Sequence, residues 1–334
     1  MKQPVGIDVA EAVTLMNQES PREIYRTIFR ADEVRAQYCG NRIATCAIIN
    51  AKSGNCGENC AFCPQSVHAH SRIDKYPLKS SDELVAAAIR AETAGAQCFG
   101  IVTSGRRIAA PQEQAVIVEA VRRLHERGGI AACASLGVID AAFMTALREA
   151  GLQRYHHNLE AAASYYPQIC TTRTFADNVA TLKLARDAGL KVCSGCLFGL
   201  GENNTQRVEL LQSLRELGIT SIPLNFLNPV PGTRLDGKTR PLRALECLKI
   251  IAVGRLMLPT AQLRVCGGRE KNLRDMQSWI FAAGANALMI GSYLTYGDRD
   301  IPDDLQLIRD AGMCLYGDDN ADDTGDGGGG EPTA

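Results

Sequence analysis

DELVAAAIRAETAG at residues 82–95 is an amphipathic helical run that ends on a glycine, and AQCFGIVTS at 96–104 follows it as a short run rich in β-branched and small residues. The pair decides the fold because it repeats. AVIVEAVRRLHERGG (115–129) leads into IAACASLG (130–137), and FADNVATLKLARDAG (175–189) leads into LKVCSGCLFG (190–199). Glycines 95, 129, 151, 189, 218 and 284 stand where a helix ends in a left-handed residue before the next strand. With ATCAIINAK (44–52) as a first strand, the others start near residues 97, 130, 153, 191, 220, 262 and 286. Alternation of strand and helix predicts a parallel sheet. About eight repeats without a dinucleotide-binding glycine fingerprint predict an α/β fold of the closed (β/α)8 TIM type rather than an open doubly wound sheet. In such barrels the chemistry sits at the C-terminal ends of the strands.

Around this barrel, expected over residues 44–316, residues 1–43 read as an N-terminal helical extension packed on one end, with SPREIYRTIFRADEVRAQY at 20–38 as its main helical segment. Residues 317–334, GDDNADDTGDGGGGEPTA, are acidic, glycine-rich and apolar only in alanine, which predicts a disordered tail. The 334 residues could bury a sizeable core as one barrel or two domains. A net charge of −1 gives no electrostatic case for nucleic acid or an anionic membrane surface. The first twenty residues lack the pattern of a signal peptide, and thirteen cysteines, an odd number, suit a reducing cytoplasm where thiols stay free for metals.

Cys56, Cys60 and Cys63 lie within eight residues of NAKSGNCGENCAFCPQS (50–66). A structural zinc site closes with four protein ligands, whereas an iron–sulfur cube held by three cysteines keeps one iron open. Half of a zinc site completed by His68 or His70 is the alternative, but no second CxxC or CxxC/HxxxH unit accompanies the triplet. Cys98, Cys133, Cys193 and Cys266 fall on four predicted strands. Alternation puts Arg264 on the same face as Cys266, and an arginine inside a barrel requires an anionic partner, which a thiolate-held cluster supplies. Cys39, Cys46, Cys170, Cys247 and Cys314 read as packing or surface residues, and Cys196, three residues past Cys193, faces the opposite side of a regular strand. HHNLE (156–160) and PLNFLNP (223–229) end the fourth and sixth strands, where Asn158, Glu160 and Asn225 are able to bind polar groups of a ligand.

The CxxxCxxC loop with Phe62 before its last cysteine resembles radical S-adenosylmethionine enzymes. From about residue 20 to 315 the chain resembles the biotin synthase family, on the segments SGNCGENCAFCPQS, YHHNLE, TTRT, RDAGLKVCSG, GLGE, NPVPGTRL, MLPTAQLRV and GGRE. The resemblance implies that Cys56, Cys60 and Cys63 hold a 4Fe-4S cluster whose fourth iron is chelated by S-adenosylmethionine. It places Cys98, Cys133, Cys193 and Arg264 on the ligands of an auxiliary cluster, usually 2Fe-2S. Phe62, Asn158 and Glu160 fall at the nucleoside cofactor, and Asn158 and Asn225 at dethiobiotin. The implied reaction inserts sulfur at two unactivated carbons, where no general base works and a radical is needed. It consumes two S-adenosylmethionine and takes sulfide from the auxiliary cluster. The implied partners are a flavodoxin or ferredoxin reductant, the iron–sulfur assembly machinery and a second copy in a homodimer.

This chain departs from the family pattern in four places. FGIVTSGRR (99–107) stands where many members have an aromatic-containing segment, Glu160 replaces a common aspartate, and Asn178 stands where some members have an arginine near the nucleoside. Cys266 occupies a position often held by serine. With Cys98, Cys133 and Cys193 it would complete a four-thiolate set and an auxiliary centre of four irons, with Arg264 displaced behind it. The competing readings are a hydrogenase-maturase-like or methylornithine-mutase-like radical enzyme on the same barrel, and a non-catalytic iron–sulfur electron carrier.

Overall fold

The structure is a computed structural model that describes residues 5–291, 293–295 and 299–316. The expected tail at 317–334 lies outside the described residues. Eight parallel strand positions close into a barrel: β1 (Arg42–Lys52), β2 (Cys98–Thr103), β3 (Ala131–Ser135), β4 (Arg154–His156), β5 (Lys191–Cys193) with its continuation β6 (Cys196–Phe198), β7 (Ser221–Phe226), β8 (Gln262–Val265) and β9 (Ala287–Met289). Closure is the pairing of β1 with β9, in register Ala44↔Ala287, Thr45↔Leu288 and Cys46↔Met289. A short strand β10 (Cys314–Leu315) adds to the start of β1. Each predicted strand start lies within two residues of an observed one, and the six helix-ending glycines all have positive φ, from 64° to 104°.

The outer ring is α3 (Ser81–Thr93), α4 (Pro111–Arg127), α5 (Ala141–Glu149), α7 (Phe175–Asp187), α8 (Asn204–Glu216), α9 (Ala244–Met257) and α12 (Ile301–Asp310), with short helices α6 (Tyr166–Ile169), α10 (Arg269–Leu273) and α11 (Trp279–Ala282) in the connections. Ser80, Thr174 and Asn203 start α3, α7 and α8 with reciprocal capping boxes, which satisfy backbone donors that the helices leave unpaired. The N-terminal helices α1 (Val9–Met16) and α2 (Pro21–Cys39) do not cap one end of the barrel. They pack on the outer helices instead, α1 on α8 and α9 and α2 along α9, whose Lys249 Nζ donates to Gln18 O at 2.7 Å near one end, while Cys39 Sγ reaches Pro259 O near the other. The cause is visible in α9 itself, ALECLKIIAVGRLM, which is apolar nearly all round and buried on every side; such a helix needs cover on both faces. Among the described residues no helix is long and apolar enough to cross a membrane.

Strand β5 breaks at Ser194–Gly195 because the chain must pass close to β7: a side chain on Gly195 would put its Cβ 2.0 Å from Pro223 O. Behind the end of β4 lies a buried polar chain. His157 Nε2 meets Asn178 Oδ1 at 3.0 Å, and Asn178 Nδ2 donates to Tyr166 Oη at 3.1 Å, as does Arg173 Nε at 3.2 Å. Since the Asn178 amide nitrogen is occupied as a donor, the His157 ring must donate to its oxygen. Burial first, and the Arg173 charge second, push His157 down to about 3. The unfolded chain, with an ordinary histidine near 6.5, then binds the extra proton between those limits, so stability is fully present above about pH 6.5 and declines as pH falls toward 3. Anaerobic urea unfolding at pH 7.5 and pH 5.0 should therefore show a loss of roughly 2 kcal/mol from this residue. His157→Gln, which keeps an N–H donor and cannot titrate, is expected to lose that part of the pH difference.

Candidate active site

One cavity of about 310 Å³ opens at the C-terminal ends of the strands and runs into the barrel. Its mouth carries the loop between β1 and α3. Cys56, Cys60 and Cys63 all line the cavity, together with Phe62. The loop is folded tightly on itself: Cys56 N donates to Gln65 O at 3.0 Å, Val67 N to Cys56 O at 2.8 Å, and Cys63 N to Cys60 O at 3.1 Å. Glu58, inside the triplet, is buried and accepts from Arg106 Nη1 at 3.1 Å and from the Thr172 hydroxyl, tying the loop to the segments after β2 and β4. His68 and His70 are exposed, and among the described residues no three His, Cys, Asp or Glu side chains converge as they would on a single metal ion.

Deeper, the strands present a second group. Cys98, Cys133, Cys193 and Cys266 line the same cavity with Arg264, as the alternation of β2, β3, β5 and β8 requires. The structure adds three residues that the sequence reading left out. Cys46, read as a packing or surface residue, does pack against Cys266 and Met289, and it also sits opposite Cys98 on β1 and lines the cavity. Arg154 and His156 flank Tyr155 on β4 and also line it. Their signal was available, since alternation places both on the face opposite the buried Tyr155. Cys196 lies in the hydrophobic core, as its offset from Cys193 implied.

Two buried arginines show what this floor lacks. Arg255, fully buried in α9, donates to Gly284 O, Leu258 O, Pro259 O, Ala261 O and Asn286 Oδ1 at 2.8–3.2 Å, and has a structural task. Arg264 makes two bonds, to Gln262 Oε1 at 2.5 Å and Ser221 Oγ at 3.4 Å, and its Nε has no partner within the protein; nor has Arg154 Nε. Among the described residues neither pairs with a carboxylate. Two hydrogen bonds from a charged donor, at about 1.5–3 kcal/mol each, do not clearly offset several kcal/mol for desolvating the cation. The groups nearest to supplying an anion are the thiols. Burial opposes charge on Arg264, but Cys46, Cys193, Cys266 and Cys98, where ionised, outweigh it and raise its pKa. Burial holds Cys46 and Cys266 themselves above the ordinary thiol range, so these two stay protonated at neutral pH. Conversely, burial opposes a thiolate at Cys193, yet His156, whose Nδ1 is 3.4 Å from its sulfur, Arg264 and Arg154 bring it down to about 7. The hydrogen bond between Cys98 and Cys133 depresses Cys98 and raises Cys133, so the pair shares a proton. A thiol-rich, cation-backed floor with orphaned guanidinium nitrogens fits an anionic iron–sulfur cluster.

Between mouth and floor lie the polar residues. Asn158 Oδ1 accepts from Gly195 N at 2.9 Å and its Nδ2 is 3.4 Å from Glu160 Oε2. Glu160 holds a left-handed backbone, φ 68°, uncommon for a non-glycine residue and fixed here by Leu197 N donating to its carbonyl at 2.8 Å. Burial raises its carboxyl pKa against the opposing charges of Arg173 and His156. Asn225 is pinned on both sides, donating to Cys196 O at 3.1 Å and accepting from Gly267 N at 3.0 Å. Asn178 does not line the cavity; it is fully buried behind it, in the chain to His157 and Tyr166.

Residues 51–214 match the family model of the Radical SAM superfamily, and residues 223–314 that of the Biotin and Thiamin Synthesis associated domain. Two curated relatives are biotin synthases: that of Geobacter metallireducens is 49% identical, covering 93% of this chain and 94% of its own, and that of Geobacter sulfurreducens 52%, covering 85% and 86%. A crystal structure of methylornithine synthase superposes with a TM-score of 0.82 at 23% identity, covering 94% of this chain and 95% of that one. The FeFe-hydrogenase maturase of Carboxydothermus hydrogenoformans superposes with a TM-score of 0.79 at 16% identity, covering 92% and 75%. These two share the fold; the family is settled by sequence, and the chain belongs to the biotin synthase family of radical S-adenosylmethionine enzymes, whose cofactors are a 4Fe-4S cluster, S-adenosylmethionine and an auxiliary 2Fe-2S cluster.

Proposed function

We propose that this chain converts dethiobiotin to biotin, with Cys56, Cys60 and Cys63 holding the 4Fe-4S cluster and Cys98, Cys133, Cys193 and Arg264 the auxiliary cluster. One observation carries the reading: a single cavity has the cysteine triplet at its mouth and a cation-backed thiol group at its floor. When bound, the first cluster and S-adenosylmethionine supply hydrogen-atom abstraction, and the auxiliary cluster supplies sulfur. The protein's part is placement. Phe62 gives an apolar wall at the mouth, Glu160 and Asn158 offer an acceptor and an amide to the nucleoside cofactor, and Asn158 and Asn225 bracket the space left for the ureido ring of the substrate. Because the Asn158 and Asn225 amides are already fixed by backbone bonds, their free N–H and lone-pair positions reach a ligand without reordering. The barrel wall keeps water from the intermediate region.

The reading requires a one-electron donor of flavodoxin or ferredoxin type and an iron–sulfur assembly system to load both clusters. Residues 44–316 would act as the catalytic barrel and 1–43 as its helical cover. A strictly anaerobic incubation with dethiobiotin, S-adenosylmethionine and a reductant should yield biotin together with 5′-deoxyadenosine. Nucleoside release without biotin would instead assign a different radical substrate, and release of neither would leave only an electron carrier. In the same assay Cys133→Ala is expected to lower biotin formation by more than about 100-fold, beyond the cost of losing an outer-shell partner.

A second arrangement of the floor is favoured by Cys266, which lies just past β8 and is buried beside Cys46 of β1. If Cys266 is a fourth thiolate ligand, the auxiliary centre holds four irons and Arg264 stands behind it. With Arg264 as ligand, Cys266→Ser protein purified anaerobically keeps two irons and two sulfides at the auxiliary site, with an unchanged 2Fe-2S Mössbauer signal. That is the expected result, and a fall in auxiliary iron with a changed signal would establish the four-thiolate centre.

A further inference from the structure

Cys170, read from sequence as a packing residue, belongs to neither donor set. Its sulfur nevertheless lies 3.7 Å from Cys60 Sγ, although 110 residues separate the two in the chain. The two backbones are laced together on both sides of that contact. On one side Ala61 N donates to Ile169 O at 2.8 Å. On the other, Asn59 Oδ1 accepts from Thr171 N at 2.9 Å, Asn59 Nδ2 donates to Thr171 Oγ1 at 2.6 Å, and Asn59 N donates to Thr172 Oγ1 at 3.0 Å. Cys60 and Cys170 therefore face each other across fixed backbone, with their sulfurs 3.7 Å apart against a disulfide bond of about 2.05 Å. Cys170 is buried, whereas Cys60 is half-buried and lines the cavity, so an oxidant meets Cys60 first.

We propose that Cys60 and Cys170 form a reversible disulfide that locks the cysteine loop once Cys60 is free of iron, a modification site that rests on the assignment of Cys60 as a cluster ligand. The oxidant class is a peroxide. The Cys60 sulfur attacks one peroxide oxygen, the O–O bond breaks, and a sulfenic acid and one water result. Cys170 Sγ then attacks the sulfenic sulfur, the S–S bond forms, the S–O bond breaks, and the second water leaves with the proton from Cys170. Two thiols lose two electrons and two protons to the peroxide. The lock diverts Cys60 from irreversible sulfinic acid, and a thiol reductant restores the ligand.

The test uses the full chain, iron-free and cluster-loaded, exposed to hydrogen peroxide, acid-quenched, alkylated and digested with trypsin without reduction. The tryptic peptides 53–72 and 155–173 hold the two cysteines. In the iron-free chain they should appear joined, with fragmentation placing the bond at Cys60–Cys170 in about tenfold excess over disulfides within residues 56–63. A dominant disulfide inside the triplet, or sulfinic acid at Cys60 without the joined peptide, overturns the proposal. If the joined peptide forms equally fast in the loaded chain, the disulfide stands and the ligand assignment of Cys60 fails. Cys170→Ser should abolish the joined peptide and, after peroxide and then thiol reductant, regain several-fold less cluster absorbance on treatment with iron and sulfide than the parent. The unoxidised variant loading iron as fully as the parent excludes a folding defect.

Discussion

The three-residue pairing of β1 with β9 is the constraint on which the site depends. Until those strands meet, the sheet has two free edges, and Cys46 on β1 and Cys266 just past β8 lie on opposite sides of it. Closure turns every alternate side chain of eight strands toward one axis, so thiols from β1, β2, β3, β5 and the end of β8 share a space that none of the local segments could enclose. The same closure orients all strand ends one way and leaves the β1–α3 loop as the natural roof over that space.

What fills the interior is costly for a fold to carry without its cofactors. A barrel core normally holds branched apolar side chains in layers. Here the layer around Arg264 and Arg154 holds cations and thiols, and the two hydrogen bonds of Arg264 together with its attraction to the Cys98 and Cys193 sulfurs are what opposes desolvation. The contrast with Arg255 is instructive, because the same residue type, equally buried, is fully satisfied by backbone carbonyls where no ligand has to bind. Incomplete satisfaction at Arg264 is thus local and specific, and it lies where an anionic cluster would complete it.

The barrel was legible because six of the eight strand starts are announced twice, by a change of hydrophobic period and by a glycine whose positive φ ends the preceding helix. Alternation then carried Cys98, Cys133, Cys193, Arg264 and Cys266 to the interior, and the triplet needed only its spacing. Other parts depend on contacts that no local pattern records. Cys46 matters because of barrel closure, and Cys170 because two loops are laced together by Asn59 across more than a hundred residues. The amphipathic face of α2 says which side is buried but not that α9 is what covers it. Asn178, noted as a departure where some members have an arginine, has its side chain turned inward to His157, a placement that no local pattern announces.

Fold and mouth together are not enough to name the chemistry. A methylornithine synthase superposes at a TM-score of 0.82 with 23% identity, so the barrel accommodates more than one enzyme. A radical formed at the mouth has no intrinsic outcome; what it becomes depends on what the barrel holds within reach. In this chain the deeper wall sets thiols beside Met289 and Ile48 and backs them with Arg264, Arg154 and His156, on strands whose remaining residues are ordinary core. Those side chains leave two guanidinium nitrogens unpaired, a cost that an anionic cofactor bound among them would offset. Under the proposed assignment the floor, rather than the loop that announces the superfamily, carries the distinction between generating a radical and placing sulfur on carbon.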